Sequence, residues 1–198
     1  MLHPNTEIRF VSAEIGVGVF ATRLLRKGTI AWILDDLDMQ ISEAQLTSLD
    51  PLRRDVILKY SYAGSGGHHV LCWDHARYMN HSFSPNVAPT AYGFELCARD
   101  ILAGEELRCD YATFQAMLGK DAPFDCAPEP GTPRTRVTSD DYLYLHEQWD
   151  AVAREAFAHF NLVDQPLHHL IRPDLVDEVR AIAAGLAAPA PWLSLYQK

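Results

Sequence analysis

Two short runs constrain this chain more than any other feature. Ala76-Arg77-Tyr78-Met79-Asn80-His81-Ser82-Phe83-Ser84-Pro85-Asn86 sets an adjacent Asn, His and Ser after an apolar approach and closes on a turn signal. Gly104-Glu105-Glu106-Leu107-Arg108-Cys109-Asp110-Tyr111 follows with a glycine turn, an acidic pair and a closing Asp-Tyr. Either run alone reads as a polar loop between strands. Together, in this order, they read as a site, because Asn and His held on a fixed backbone present amide and imidazole groups rather than fill a core.

The segments around them read as mostly β. Residues 7–20 alternate in polarity and break at Gly16 and Gly18, which predicts strand, glycine turn, strand. Ile15-Gly16-Val17-Gly18-Val19-Phe20-Ala21 lacks the third glycine and following helix of a dinucleotide fingerprint. Its two glycines suit a tight hairpin, and equally a backbone that a ligand approaches closely. Lys27-Gly28 predicts a turn before a strand at 29–34. Ser42 opens a short helix, and Asp50-Pro51 supplies an N-cap and a first-turn proline for a second, to about Tyr60. A flexible turn at 64–67 leads to a strand over 69–74, and residues 91–102 predict strand, turn, strand. Residues 126–138, rich in proline and charge, read as an irregular linker or lid. Ser139 is the expected cap of an amphipathic helix bearing Tyr142, Leu145, Trp149, Val152, Ala156 and Phe160 at helical spacing. Pro173 is expected to open a last helix, to about Leu186, before an extended tail.

Composition narrows the function classes. At 198 residues the chain suits one domain with an appendage and needs no disulfide or metal staple. A formal net charge of −9, from 26 acidic and 17 basic side chains, argues against nucleic acid as a direct partner and suits a basic protein or peptide. Cys72, Cys97, Cys109 and Cys126 show no CxxC pair and read as reduced thiols of an intracellular protein. No secretory signal and no membrane-spanning stretch is visible, so no membrane partner is expected.

Gly16-Val17-Gly18-Val19-Phe20-Ala21, Arg77-Tyr78-Met79-Asn80-His81-Ser82, Pro85-Asn86, Ala98-Arg99-Asp100-Ile101 and Gly104-Glu105-Glu106-Leu107…Asp110-Tyr111 resemble the successive motifs of SET-domain protein lysine methyltransferases. The resemblance covers about residues 7–111. It implies an α+β, mainly β fold of small twisted sheets, in which the Asn-His-Ser and Asp-Tyr segments cross like a pseudoknot. The expected layout is a SET domain at 1–125 with an insert of short helices at about 42–60, the linker or lid at 126–138, and a helical extension at 139–198 that packs on the core or pairs two copies. It also implies S-adenosylmethionine as cofactor, with the methyl group passing to a lysine of a protein substrate. By resemblance, Gly16, Val17, Gly18, Asn80 and His81 hold the cofactor. Tyr111 is the catalytic tyrosine and also borders the cofactor, and Tyr62 lines both cofactor site and lysine channel.

Methyl transfer is an in-line displacement, so positioning carries much of the work. A lysine amine must first lose its proton. Desolvation and a nearby sulfonium both lower its pKa, so a dedicated base is not required, and Tyr111 either orients the amine or joins in that step.

Two departures from the family pattern matter. Many members bind zinc through a cysteine directly after Asn-His-Ser and a downstream cysteine cluster. Here that position is Phe83 and only Cys126 lies downstream, so no zinc is expected, and Phe114, Phe124 or the Trp149 helix is expected to close the channel. His68, His69, Cys72 and His75 diverge if they flank a strand, and read as surface histidines near a turn rather than a metal cluster. Cys109, second residue before Tyr111, lines the channel where the family commonly carries Tyr or Phe, which implies room for transfer beyond one methyl group. The alternatives are an inactive SET fold that binds peptides, and a hydrolase on Ser82 or Ser84. The second lacks a nucleophile elbow.

Overall fold

A computed structural model describes residues 1–64, 67–114 and 124–196. Among these the strands form four small sheets. β1 (Thr6–Ser12) and β2 (Gly16–Ala21) make an antiparallel hairpin; β10 (Glu106–Cys109) lies against β2, and β7 (Asn80–His81) lies against β10. β3 (Ile30–Ile33), β9 (Phe94–Cys97) and β8 (Val87–Pro89) form the second sheet in that order. β4 (Met39–Ile41), β6 (His69–Leu71) and β5 (Ser61–Ala63) form the third, and β11 (Phe124–Asp125) pairs with β12 (Arg136–Val137). No helix among the described residues is long and apolar enough to cross a membrane.

The crossing that the family resemblance implies is present. β7 runs parallel to β10, with Asn80 opposite Arg108 and Cys109 opposite His81. Parallel neighbours need a connection that leaves the sheet, and here the chain from β7 visits β8 and β9 before returning as β10. Asn86 ties that connection down. Its side chain accepts from the Arg108 amide at 2.8 Å and donates to the Glu106 carbonyl at 2.8 Å. In effect it extends the ladder by one residue.

The insert follows its caps. Ser42 and Gln45 close a capping box on α1 (Glu43–Ser48), and Asp50 caps α2 (Pro51–Tyr60). Downstream, three boundaries differ from the sequence reading. β6 ends at Leu71 because Asp74 caps a 3₁₀ turn, His75–Tyr78, instead of continuing the strand. The long helix, α3 (Tyr142–Phe157), starts after Asp141 rather than from a Ser139 cap. The Asp141 carboxylate binds Thr138 and Arg134 rather than the helix end. α4 (Val176–Ala183) is shorter than expected, because Gly185 at φ +72° takes the left-handed conformation that ends a helix.

Alternation along β9 divides the interior. Phe94 and Leu96 join one core with Phe157, Phe160, Val179 and Ile182, while Cys97 faces a second core with Trp32, Cys72 and Cys109. The C-terminal helices therefore share a core with the β3-β9-β8 sheet. Fully burying a side chain such as Phe157 stabilises the fold by about 1.5–3 kcal/mol. Gln165 adds polar stitches, accepting from the Ile30 amide at 2.9 Å and donating to the Gly28 carbonyl at 2.7 Å.

Candidate active site

A cavity of about 350 Å³ opens beside the end of β10. Tyr62, Cys109 and Tyr111 line it, together with Trp32, Met79 and Glu95. Its aromatic wall is continuous: Tyr62 meets Trp32 edge-on at 5.8 Å and Phe114 at 5.0 Å, and Phe114 stands 6.0 Å from Tyr111. Of the three side chains expected to close the channel, Phe114 lies on it. The Trp149 helix packs elsewhere, and the side chain of Phe124 lies outside the described residues.

Tyr111 connects this cavity to the crossing. Its amide donates to His81 Nδ1 at 3.1 Å, and its hydroxyl donates to the Met79 carbonyl at 2.7 Å. Burial first, then the neighbouring Cys109 and Glu106, pushes the Tyr111 hydroxyl well above its ordinary pKa, so it stays protonated at neutral pH. His81 Nδ1 lies 3.8 Å from Asp110, close enough to suggest an ion pair. The ring is neutral nonetheless. Burial lowers its pKa against the opposing pull of Asp110, and Nδ1 is already accepting an N–H.

The remaining predicted residues sit behind the cavity, on the β2-β10-β7 sheet. Asn80 Nδ2 donates to the Val17 carbonyl at 3.1 Å and to Glu106 Oε1 at 2.7 Å. β10 pairs with β2 only at Phe20 and Val19, so Asn80 serves the stretch of β2 that β10 leaves open. The two glycines have different local reasons. Gly16 sits at φ +87°, where its lack of a Cβ removes the strain. A Cβ on Gly18 would meet Glu106 Oε1 at 2.1 Å and Asn80 Nδ2 at 2.9 Å. Gly18 thus lies within β2 rather than in the turn, and it makes room for the Asn80–Glu106 contact.

Residues 126–138 fold back over the Asn-His-Ser arm. Glu129 Oε2 accepts from Ser82 Oγ at 2.7 Å, the Phe83 amide at 3.1 Å and the Ser84 amide at 3.2 Å, while Oε1 takes Arg108 at 3.2 Å. Arg134 binds Asp110 Oδ2 at 2.6 Å and Asp141 Oδ2 at 2.9 Å, and its guanidinium lies 4.6 Å from the Phe83 ring centre. Phe83 packs with Trp149, Trp192, Val137 and Ala112. Where a cysteine ligand was the family expectation, the chain places an aromatic ring under an arginine.

A model of the SET domain matches residues 16–112. Residues 16–112 form a SET domain. The family consists in general of S-adenosylmethionine-dependent lysine methyltransferases, and the matched span contains Gly16, Tyr62, Asn80, Cys109 and Tyr111. No curated protein matches the chain significantly. Among solved structures, a Plasmodium falciparum protein named as a histone methyltransferase aligns at 18% identity with a TM-score of 0.40, over 56% of this chain and 95% of its own. A likeness of that size carries no argument about function.

Two SET-domain residues escaped the sequence reading. Arg77, within the arm motif, lines the cavity with a buried Nε that has no hydrogen-bond partner among the described residues. Glu95 interrupts the apolar strand Phe94-Glu95-Leu96-Cys97, and that interruption was its visible signal. His69, expected at the surface, is only 6% exposed and hydrogen-bonds with Ser61 at 3.2 Å. β4 and β5 flank its strand on both sides and carry it inward. Among the described residues no group of three or more His, Cys, Asp or Glu side chains is placed to hold a metal.

Proposed function

We propose that this protein transfers methyl groups from S-adenosylmethionine to lysine side chains of a protein substrate, a basic one given the net charge of −9. The observation that carries this reading is the position of Tyr111, which is bonded to His81 and Met79 of the arm while its ring lines the adjoining cavity. A cavity of about 350 Å³ with aromatic walls and few polar groups has the character of a small-molecule or side-chain site.

The residues present suit the cofactor. Arg77 offers a buried guanidinium N–H without a partner, which suits the cofactor's carboxylate. Asn80, His81 and the backbone of Gly16, Val17 and Gly18, which lie behind the cavity on the β2-β10-β7 sheet, would be the further holding groups, and Tyr62 and Tyr111 would contribute from the cavity wall. When bound, S-adenosylmethionine supplies an electrophilic methyl group on a sulfonium sulfur. The chain's part is to orient the amine and exclude water. The Met79 carbonyl fixes the Tyr111 hydroxyl, and the Tyr62, Phe114 and Trp32 rings shield the channel. Calorimetric titration with S-adenosylmethionine is expected to show saturable binding at one site. Absence of binding by the folded protein would remove this reading and leave a peptide-binding SET fold.

Cys109 sets the degree of transfer. It lines the cavity, is 4% exposed, and is far smaller than a tyrosine. Wild-type protein is expected to carry a lysine peptide beyond the monomethyl form, and Cys109→Tyr to stop there. Mass spectrometry of the peptide at long reaction times checks this; a wild-type product that halts at one methyl group contradicts it.

A further inference from the structure

Glu95 is a carboxylate where a shielded apolar strand has no evident use for one. β9 is buried along its whole length, and alternation turns Glu95 to the face of Cys97, away from Phe94 and Leu96. Its register partner across the sheet is Trp32, and both side chains line the cavity that holds Tyr111 and Cys109. Glu95 is 7% exposed and receives no hydrogen bond or ion pair from any described residue, and Trp32 Nε1 on the facing strand is fully buried with no partner among the described residues. A buried carboxylate without partners is costly, so a position that keeps one points to a ligand that satisfies it.

We propose that Glu95 accepts the proton of the substrate ammonium inside this cavity, a role that rests on the lysine-transfer reading above. One N–H bond of the ammonium breaks and its electron pair stays on nitrogen. The proton forms an O–H bond on Glu95, remains there while the neutral amine reacts, and leaves to solvent with the product. In a low-dielectric cavity a neutral amine beside a neutral acid avoids the desolvation penalty of an ion pair, so burial drives the transfer.

The surroundings favour this assignment. Burial pushes the Glu95 carboxyl up to about 7, close to working pH. Tyr62 on β5, Cys72 beyond β6 and Cys109 on β10 all have raised pKa values, from burial first and in part from the charge of Glu95. Each of these, and Tyr111, stays protonated at neutral pH, which leaves Glu95 as the titrating acceptor on the cavity wall. Asp38 adds negative charge near Tyr62 and Cys72. Of the cations, Lys59 and Arg77 line the same cavity, and Arg172 and His68 border a neighbouring one that Glu95 also touches. None of them bonds its carboxylate.

Glu95→Gln keeps the shape and removes the basicity. Two measurements on the full chain test it. In the first, kcat/KM for a lysine peptide is followed against pH. Wild type is expected to rise through a limb near pH 7, and Glu95→Gln to lie about 100-fold lower without that limb. In the second, n-butylammonium is titrated in the absence of any transfer. Wild type is expected to bind it more tightly as pH rises through 7, and Glu95→Gln at least tenfold more weakly with no such dependence. Unchanged rates and pH profile in the variant overturn the proposal while transfer itself stands. Butylammonium binding that ignores the substitution overturns it as well. Glu95-dependent butylammonium binding in a protein that transfers nothing supports the cation site and removes the transfer reading instead.

Discussion

Tyr111→Phe is expected to lower methyl transfer by about 100-fold or more while costing only about 1 kcal/mol of stability. The two effects separate because the hydroxyl has a structural partner. It donates to the Met79 carbonyl at 2.7 Å, the bond a purely structural tyrosine would also make. If that were its whole role, Phe would weaken the fold slightly and activity would follow the folded fraction. In the proposed role the Met79 carbonyl serves instead to aim the hydroxyl at the reacting amine, and removing the hydroxyl harms the reaction far more than the fold. The ring contacts with His81 at 5.4 Å and Phe114 at 6.0 Å survive the change, so packing is held constant. Denaturant unfolding read beside initial rates distinguishes the two. A rate within twofold of wild type would make Tyr111 a structural residue.

Arg134→Ala is expected to have the largest effect on stability, about 3 kcal/mol or more. Asp110 is only 3% exposed, and Arg134 is its cationic partner at 2.6 Å. Removing the arginine leaves a buried carboxylate supported by the Ala112 amide at 3.0 Å. The same substitution also frees Asp141 from its 2.9 Å contact and uncovers the Phe83 ring. Asp110 adjoins Tyr111, so the damage reaches the site. A paired replacement tests the cause. Asp110→Asn with Arg134→Met removes both charges, and is expected to recover more than half of the lost stability, since the penalty comes from stranding one partner. Urea midpoints at unchanged slope measure this. A double variant no better than Arg134→Ala would place the loss in packing around Phe83 rather than in the charge.

What could be read from the residues was local chemistry in a fixed order. The run from Arg77 to Asn86, followed by Gly104 to Tyr111, pointed to a site and, through its resemblance to the SET family, to a crossing, and Asn80, His81 and Asn86 hold it. Ser42 and Asp50 announced their helices because capping is decided within four residues. Contacts across long separations were not legible. Glu129 binds Ser82, Phe83 and Ser84 from more than forty residues away, so a stretch of prolines and charges read as a linker or lid turns out to clasp the arm. Ser139 was the best local cap for α3, but the Asp141 carboxylate is held by Thr138 and Arg134 and the helix starts after Asp141. Glu95 was hidden for another reason: a single acid within a strand is unremarkable until the strand is known to be buried on both faces.

Transfer to lysine is the central claim, and isotope-labelled methyl transfer tests it most directly. Purified wild-type protein is incubated with labelled S-adenosylmethionine and basic lysine-bearing proteins, histones and a cell lysate among them, and the labelled residues are located by mass spectrometry. Label is expected on lysine side chains, and not with Tyr111→Phe. No lysine label from a folded, cofactor-binding wild type, or label that persists at the same rate in Tyr111→Phe, would contradict it.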